Sequence, residues 1–401
     1  MDSILKSLLT LWESTGIARL FGGDALLALK TCAMYIIVAV LVYFAIRRQY
    51  EPLLLLPIAI GMLLTNLPGA NLFHMDLFIN EADPQAKIII QDVFEKGGLI
   101  DILYLGVKFG VYPSLIFIGI GAMTDFTPLI SNPKSIFLGG AAQFGVFVAF
   151  CGALLIGFDV QEAAAIGIIG GADGPTAINT TKELAPHLLG AIAIAAYSYM
   201  ALIPMIQPPL MKALTTKKER AIQMPPLEQV SKLEKILFPL VVTFIVALLL
   251  PDAAQLVGCL MFGNLLNVCG VTDRLSQTAQ NGLINVVTIF LGISVGATAT
   301  AENFLKLETL YIVGLGLVAF MLSTIGGLLG GKIMCKLSGG KINPLIGSAG
   351  VSAVPMAARV AQKVGQKENP SNFLLMHAMG PNVAGVIGSA VCAGVFLALF
   401  R

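Results

Sequence analysis

The chain has 401 residues, of which 56% are hydrophobic and only 12% are charged. This composition is too apolar for a soluble globular protein and indicates a polytopic membrane protein. A formal net charge of +2 gives no basis for a role in nucleic-acid binding. The six cysteines form no CxxC pair and the three histidines are dispersed, so a thiolate or imidazole metal site is not expected.

The N-terminal segment, residues 1–25, predicts an amphipathic helix at the membrane surface rather than a signal peptide. It contains the acids Asp2 and Glu13, and it places Trp12 where an interfacial aromatic belongs. Beyond it, long apolar runs recur, and because they do not alternate they favour helices over a barrel. They predict an all-α fold with about ten transmembrane helices, near residues 26–46, 52–67, 99–121, 134–157, 186–211, 236–251, 253–270, 281–299, 309–331 and 372–400.

Two segments broken by glycine and proline match without a gap. Residues 167–177 read GIIGGADGPTA and residues 347–357 read GSAGVSAVPMA, and in this match Asp173 corresponds to Ala353. Matched interruptions in two halves of a membrane protein point to a transport site at mid-membrane. A chance likeness between glycine-rich helices is the alternative, because small residues serve close helix packing anyway.

The broken stretches 163–183 and 342–364 predict re-entrant hairpins, since irregular backbone at membrane depth must be satisfied by protein or water. Placing the basic loops, above all 212–235 and 332–341, in the cytoplasm satisfies the positive-inside rule and puts the N-terminus outside. The first hairpin then enters from outside and the second from inside, which makes the two halves inverted repeats.

The predicted organisation has five parts in chain order. They are an interfacial segment (1–25), scaffold helices with a connection (26–98), a first inverted repeat (99–211), a basic cytoplasmic loop with further scaffold helices (212–280), and a second inverted repeat (281–401).

Asp173 is the only acid in the first matched stretch. A carboxylate at bilayer depth is costly and therefore predicts a functional role. The oxygen donors that follow it, Thr176, Asn179 and Thr180, suit sodium or another hard cation better than zinc. The alternative is that Asp173 only caps the half-helix that begins at Gly174.

The second broken segment carries a polar set of its own. Asn343, Ser348, Ser352 and Arg359 lie in NPLIGSAGVSAVPMAAR. Arg359 either anchors an anionic substrate through its guanidinium or ends the hairpin at the cytoplasmic interface.

Polar residues also follow each hairpin in the next span. Tyr199 and Asn382 lie at comparable distances beyond Asp173 and Ser352, so both are candidates for one central cavity. Interfacial packing with a satisfied hydroxyl is the alternative for Tyr199.

Four of these motifs, GGADGPTAI, AAYSYMALIPMIQPPLMKAL, NPLIGSAGVSAVPMAARV and FLLMHAMGPNVAGVIGSA, resemble the beta subunit of the biotin-dependent, sodium-pumping decarboxylases. The resemblance extends over most of the chain, from YEPLLLLPI onward. It implies a translocase that accepts carboxybiotin, releases carbon dioxide and exports sodium, with oxaloacetate favoured as the acyl substrate of the complex.

The resemblance also implies cofactors, partners and a location. Sodium and biotin would be the cofactors, the biotin being carried by a carboxyltransferase and biotin-carrier alpha subunit. A small membrane gamma subunit, further copies of the beta subunit and the bilayer of a bacterial cytoplasmic (inner) membrane would be the other partners.

The resemblance further implies roles for individual residues. Asp173 would bind sodium and exchange a proton, with Tyr199 as proton carrier and Arg359 as the third catalytic group. The residues implied to bind carboxybiotin are Arg359, Asn343, Gly347 and Ser352. The residues implied to bind sodium together with Asp173 are Asn343, Ser352 and Asn382. The alternative function is a sodium-coupled secondary transporter of an organic anion that performs no chemistry.

Overall fold

The computed structural model describes residues 10–22, 24–49, 51–78 and 89–401, except the side chain of Ala201. Within these ranges the chain is helical and contains no strand, which confirms the all-α membrane fold. The principal helices are α1 (Ala25–Arg47), α2 (Pro52–Thr65), α3 (Leu99–Lys108), α4 (Val111–Met123), α5 (Ile136–Ala142), α6 (Phe144–Ile156), α7 (Val160–Gly167), α8 (Gly174–Leu184), α9 (Leu189–Leu214), α10 (Lys232–Leu249), α11 (Pro251–Val268), α12 (Ile284–Ala297), α13 (Leu307–Leu337), α14 (Met356–Glu368) and α15 (Leu375–Phe400).

Shorter elements connect these helices. The short α-helices are Gly16–Phe21, Ile90–Lys96, Thr127–Ser131, Lys217–Arg220, Asp273–Gln277 and Ala301–Phe304. The 3₁₀ turns are Met75–Leu77, Pro133–Ser135, Ile168–Gly171, Pro186–Leu188 and Pro344–Gly350, and a π-helical turn covers Thr278–Leu283.

Five described helices are long and apolar enough to cross a membrane: Ala25–Arg47, Pro133–Ile156, Asp273–Ala297, Leu307–Leu337 and Leu375–Phe400. Counting two bent pairs as one span each raises the number to seven. Since the structure identifies five to seven candidate spans by length and hydropathy, the total of ten transmembrane helices is still a prediction.

Each bent pair has an identifiable cause. The 65° bend between α3 and α4 lies at Gly110, whose φ of 71° is left-handed and ends the first helix. The 60° bend within α9 follows Met200. In a regular helix the carbonyl of Met200 would accept a hydrogen bond from the amide four residues later, but that residue is Pro204, which has no amide hydrogen.

Helix α15 connects the two broken segments, one at each of its ends. At its start, the amide of Leu375 donates to Oε1 of Gln362 on α14 at 2.7 Å. At its end, Nε2 of Gln161 on α7 donates to the carbonyl of Phe400 at 2.8 Å. Because 26 helical residues span about 39 Å, the two broken segments contact α15 at opposite ends. The inverted arrangement of the two halves is still a prediction.

Glycines bring the second broken segment into close contact with its neighbours. A Cβ added to Gly327 of α13 would lie 2.1 Å from the carbonyl oxygen of Gly347. One added to Gly385 of α15 would lie 2.1 Å from that of Gly350. Such contacts require residues without a side chain, as is usual where membrane helices pack closely.

The interfacial location of the N-terminal segment, residues 1–25, is still a prediction. Trp12 is exposed and the helix Gly16–Phe21 has no buried residue, while residues 1–9 lie outside the described ranges. The boundaries of the five predicted parts also stay predictions.

Candidate cation site between two broken segments

The first broken segment places Asp173 at the start of a half-helix. Helix α7 is followed by the 3₁₀ turn Ile168–Gly171, and Ala172 adopts a left-handed conformation with φ 54° before α8 begins. Oδ1 of Asp173 accepts a hydrogen bond from the amide of Thr176 at 3.3 Å, so the carboxylate caps α8. Capping therefore occupies one carboxylate oxygen and leaves the second for other partners.

The tip of the second broken segment contacts the first at this point. The amide of Ser352 donates to the carbonyl of Gly171 at 3.0 Å. Oγ of Ser352 lies 3.1 Å from Oγ of Ser389 on α15, and that hydroxyl donates to Oδ2 of Asp173 at 2.8 Å. A chain of hydroxyl groups thus joins the two tips to the carboxylate through the middle of α15.

Amide oxygens without a hydrogen-bond partner lie on the neighbouring elements. Asn382 donates its amide hydrogens to the carbonyls of Ala349 and Val351 at 2.8 and 2.7 Å, while its buried Oδ1 is unpartnered. Gln143 shows the same pattern, with a buried and unpartnered Oε1 that would lie 3.4 Å from a Cβ built on Gly171. Both oxygens are free to bind a cation.

The carboxylate of Asp173 has no cationic partner. Asp173 is only 5% exposed. None of the ion pairs in the described part of the chain includes its carboxylate. A buried ionised carboxylate is costly unless a cation or a proton neutralises it. Hydroxyl, carbonyl and carboxylate oxygens are the ligands that a hard cation prefers.

No group of three or more His, Cys, Asp or Glu side chains that could hold a metal ion occurs within the described ranges. The donors around Asp173 are hydroxyl and amide oxygens, which suit an alkali or alkaline-earth cation better than a transition metal.

The structure does not place Tyr199 against Asp173. Its hydroxyl donates to the carbonyl of Val313 on α13, and its ring packs beside Gly316. Tyr197 is the tyrosine next to the carboxylate, because a Cβ added to Gly174 would lie 2.7 Å from its hydroxyl oxygen. That hydroxyl is buried and has no hydrogen-bond partner among the described residues.

Asn343 and Gly347 lie further along the second segment, away from its tip. The amide group of Asn343 donates to the carbonyls of Arg220 and Ile222 at 3.0 and 2.9 Å, and its Oδ1 accepts from the amide of Leu345 at 3.0 Å. Asn343 thus ties the segment to the basic loop, while Gly347 provides the close contact with α13. Their predicted roles as ligands stay predictions.

Arg359 is exposed on the first turns of α14. It follows the tip residue Ser352 by seven positions. The structure thus brings together Asp173, Ser352 and, close by on α15, Asn382, while Asn343, Tyr199 and Arg359 lie around this centre.

Three further polar residues near this centre, Ser389, Gln143 and Gln207, are not among those predicted from the sequence. Nε2 of Gln207 donates to the carbonyl of Ser348 at 3.0 Å. Ser389 follows Asn382 by seven residues, two helical turns, so it shares a helix face with it. Gln143 is a polar residue inside a predicted apolar span. Either signal was available, but neither distinguishes a site residue from a packed polar residue.

These features define a class: a polytopic α-helical membrane protein with a buried carboxylate where two broken segments meet. A sequence model of the family described as "Na+-transporting oxaloacetate decarboxylase beta subunit" matches residues 30–400. The chain belongs to this family.

Relatives with three different named substrates match almost end to end. The methylmalonyl-CoA decarboxylase subunit beta of Propionigenium modestum is 59% identical, over 99% of this chain and 100% of the relative. The glutaconyl-CoA decarboxylase subunit beta of Acidaminococcus fermentans is 54% identical, over 100% of this chain and 99% of the relative. The oxaloacetate decarboxylase beta chain 2 of Salmonella typhi is 51% identical, over 98% of this chain and 99% of the relative. None of these names supports the alternative of a transporter without chemistry.

Proposed function

We propose that this chain is the membrane subunit of a sodium-extruding decarboxylase, which decarboxylates carboxybiotin and uses the reaction to export sodium. The observation that carries the proposal is the buried carboxylate of Asp173, which has hydroxyl and amide oxygens around it and forms no ion pair with a basic side chain among the described residues. Sodium and a proton are the two charges that can occupy it in turn.

The coupling follows from the proton balance of the reaction. Decarboxylation of carboxybiotin breaks the bond between the ureido nitrogen and the carboxyl carbon, releases carbon dioxide, and leaves a nitrogen that takes up one proton. Sodium export against 100 mV costs about 2.3 kcal/mol per charge. In this scheme Asp173 gives up its proton to that ureido nitrogen and binds sodium in its place. A second proton, taken up by Asp173 when the site faces outward, then expels the sodium, because the two ions compete for one carboxylate.

Individual residues have defined tasks in this scheme. Sodium reaches Asp173 from the cytoplasmic side, with Ser352, Ser389 and Asn382 as further oxygen ligands. Arg359 binds the carboxyl group of carboxybiotin, for which its exposed position on α14 is suitable. Tyr197, whose unpartnered hydroxyl lies beside the site, supplements Tyr199 as a candidate proton carrier.

Transport also requires that the site face each side in turn. The two broken segments contact each other and α15 through backbone and hydroxyl bonds, so they form one unit around the site. Movement of this unit against the remaining helices exposes Asp173 first inward and then outward, as in transporters with inverted repeats.

Partners and location complete the proposal. The biotin is carried by an alpha subunit that also performs the carboxyl transfer, a small gamma subunit joins in the membrane, and the beta subunits associate with each other in the bacterial cytoplasmic membrane. The acyl substrate is chosen by the alpha subunit. Oxaloacetate is the expectation from the motifs, whereas identity is higher to the methylmalonyl-CoA relative, and assaying the copurified complex with each acyl substrate decides between them.

The test is an Asp173→Asn variant in the intact complex, reconstituted in proteoliposomes. Loss of the charged ligand is expected to weaken sodium affinity by at least about 10- to 100-fold and to abolish decarboxylation-driven sodium uptake. Asp76→Asn, the same change at an exposed acid, serves as the control and should pump normally.

Two results would contradict the proposal. One is wild-type sodium uptake by the Asp173→Asn complex. The other is uptake that persists when avidin blocks the biotin of the wild-type complex, because that would favour a transporter without chemistry.

A further inference from the structure

Helix α14 exposes one continuous stripe of positive charge. Arg359, Lys363 and Lys367 follow one another at four-residue intervals and are the only exposed residues of this helix. The opposite face is apolar and buried, and consists of Ala357, Ala358, Val360, Ala361, Val364 and Gly365. We call the three basic residues the α14 stripe.

The charge of the α14 stripe is not compensated locally. The one acid of the helix, Glu368, is bound by Arg220 through contacts of 3.0 and 2.8 Å. No ion pair within the described part of the chain involves a residue of the stripe. Lys212 and Lys217 lie within electrostatic reach of Glu368, which adds to the positive potential of this surface.

The stripe extends along α14 toward the tip of the second broken segment. Arg359 is at the inner end, seven positions after Ser352, and Lys367 is at the outer end, so the stripe is about 12 Å long at 1.5 Å per residue. The other sides of α14 pack against Pro344–Gly350, α9 and α15. Because three exposed basic side chains would be costly in hydrocarbon, we assign this face to water rather than to lipid.

We propose that the α14 stripe is the docking surface for an acidic face of the protein domain that carries the carboxylated biotin. The inference rests on the proposed function, because the occupant must present a carboxylated group to the tip beside Ser352. Arg359, at the inner end, receives that group, while Lys363 and Lys367 attract the domain. Complementary charge of this kind raises the association rate and sets the orientation of the partner.

The test removes the outer charges only. Lys363→Gln/Lys367→Gln is compared with Lys336→Gln/Lys341→Gln, which removes two exposed lysines from the other basic surface that we assign to the cytoplasm. Binding of the biotinylated alpha subunit to the purified membrane part is measured in 50 and 500 mM choline chloride. Turnover of the assembled complex is measured against the concentration of the alpha subunit.

The stripe variant should bind the alpha subunit about three- to tenfold more weakly at low salt, and the difference should shrink at high salt. Its KM for the alpha subunit should rise while kcat at saturation stays unchanged, and the control variant should match wild type. Wild-type affinity of the stripe variant, or an equal loss in the control, overturns the inference. A binding defect that appears only in vesicles of anionic lipid, and not with zwitterionic lipid, also overturns the inference. It would mean that the stripe binds lipid headgroups rather than the alpha subunit.

Failure of docking and failure of the proposed function are distinguishable. The Asp173→Asn complex should keep its affinity for the alpha subunit while it loses sodium uptake. If that complex pumps normally, the proposed function fails whatever the stripe binds. If only the stripe variant behaves like wild type, the docking surface alone is refuted.

Discussion

At the scale of single residues, Tyr197 and Tyr199 have opposite surroundings although they stand two positions apart on α9. Side chains at this spacing point to different sides of a helix, since each residue turns the helix by about 100°. Tyr197 thus lies against α8 beside Asp173, and Tyr199 bonds to the carbonyl of Val313 on α13. The sequence YSYM contains no signal that assigns one of the two to the site.

This difference predicts separate kinetic effects. Tyr197→Phe removes a hydroxyl next to the carboxylate and should raise the sodium concentration for half-maximal turnover by about three- to tenfold, the size of effect that the loss of one hydrogen bond has. Tyr199→Phe removes the bond to α13 and should lower the maximal rate without changing that sodium concentration. Sodium titrations of decarboxylation by the two complexes measure both quantities, and equal shifts in the two variants would refute the assignment.

Asp173, Ser352 and Asn382 were predictable because each is polar within or just after a broken segment, where a polar side chain is costly unless it has a purpose. Ser389 and Gln143 were not, since serine and glutamine in an otherwise apolar helix also occur as ordinary packed residues. Only the hydrogen bond of Ser389 to the carboxylate, or the free Oε1 of Gln143 near Gly171, distinguishes them.

At the scale of elements, the position of the second broken segment depends on glycine contacts with α13. The carbonyl of Gly347 lies so close to Gly327 that a Cβ there would overlap it, at 2.1 Å. Backbone cannot rotate away as a flexible side chain can. This contact therefore fixes how deeply the segment lies against α13.

Gly327→Ala should accordingly destabilise the complex, by about 1–3 kcal/mol as is typical of an overpacked core, and impair pumping. Gly314→Ala is the matched control on the same helix, because a Cβ there has no atom within 4 Å. It should be neutral or stabilising by up to about 1 kcal/mol, since alanine favours a helix over glycine. Thermal unfolding of the purified complexes compares the two, and equal melting temperatures would argue against the close contact.

At the scale of the whole molecule, the repeat and the loop charges predicted two broken segments that enter from opposite sides. The structure shows that the two segments contact opposite ends of α15, while their entry from opposite sides is still a prediction. A repeat shows that two segments are equivalent, but it says nothing about whether their tips meet. That meeting depends on one backbone bond, from Ser352 to Gly171, and on the middle of α15.

The number of spans was harder to predict than their nature. Hydropathy reads the stretch 99–121 as one span, although Gly110 bends it by 65°. Mean hydropathy is insensitive to such a bend, because one residue with a left-handed φ changes the direction of the chain without changing its composition.

The orientation of the whole molecule can be tested at the two ends of α13. Its 31 residues extend about 46 Å, more than the roughly 30 Å of a hydrocarbon core. Glu302 precedes this helix and Lys336 lies in its last turn, and both are exposed. If the basic ends of the helices are cytoplasmic, as the positive-inside rule requires, the two positions lie on opposite sides of the membrane.

We expect a membrane-impermeant maleimide to label Glu302→Cys in right-side-out vesicles and Lys336→Cys only in inverted vesicles, each in a background without the six native cysteines. Labelling of both from one side would mean that α13 does not cross the bilayer. The reverse pattern would turn the molecule over and place the α14 stripe outside, beyond reach of a cytoplasmic biotin carrier. Because hairpin entry, sodium direction and docking all depend on this orientation, one labelling experiment tests the common premise of the three.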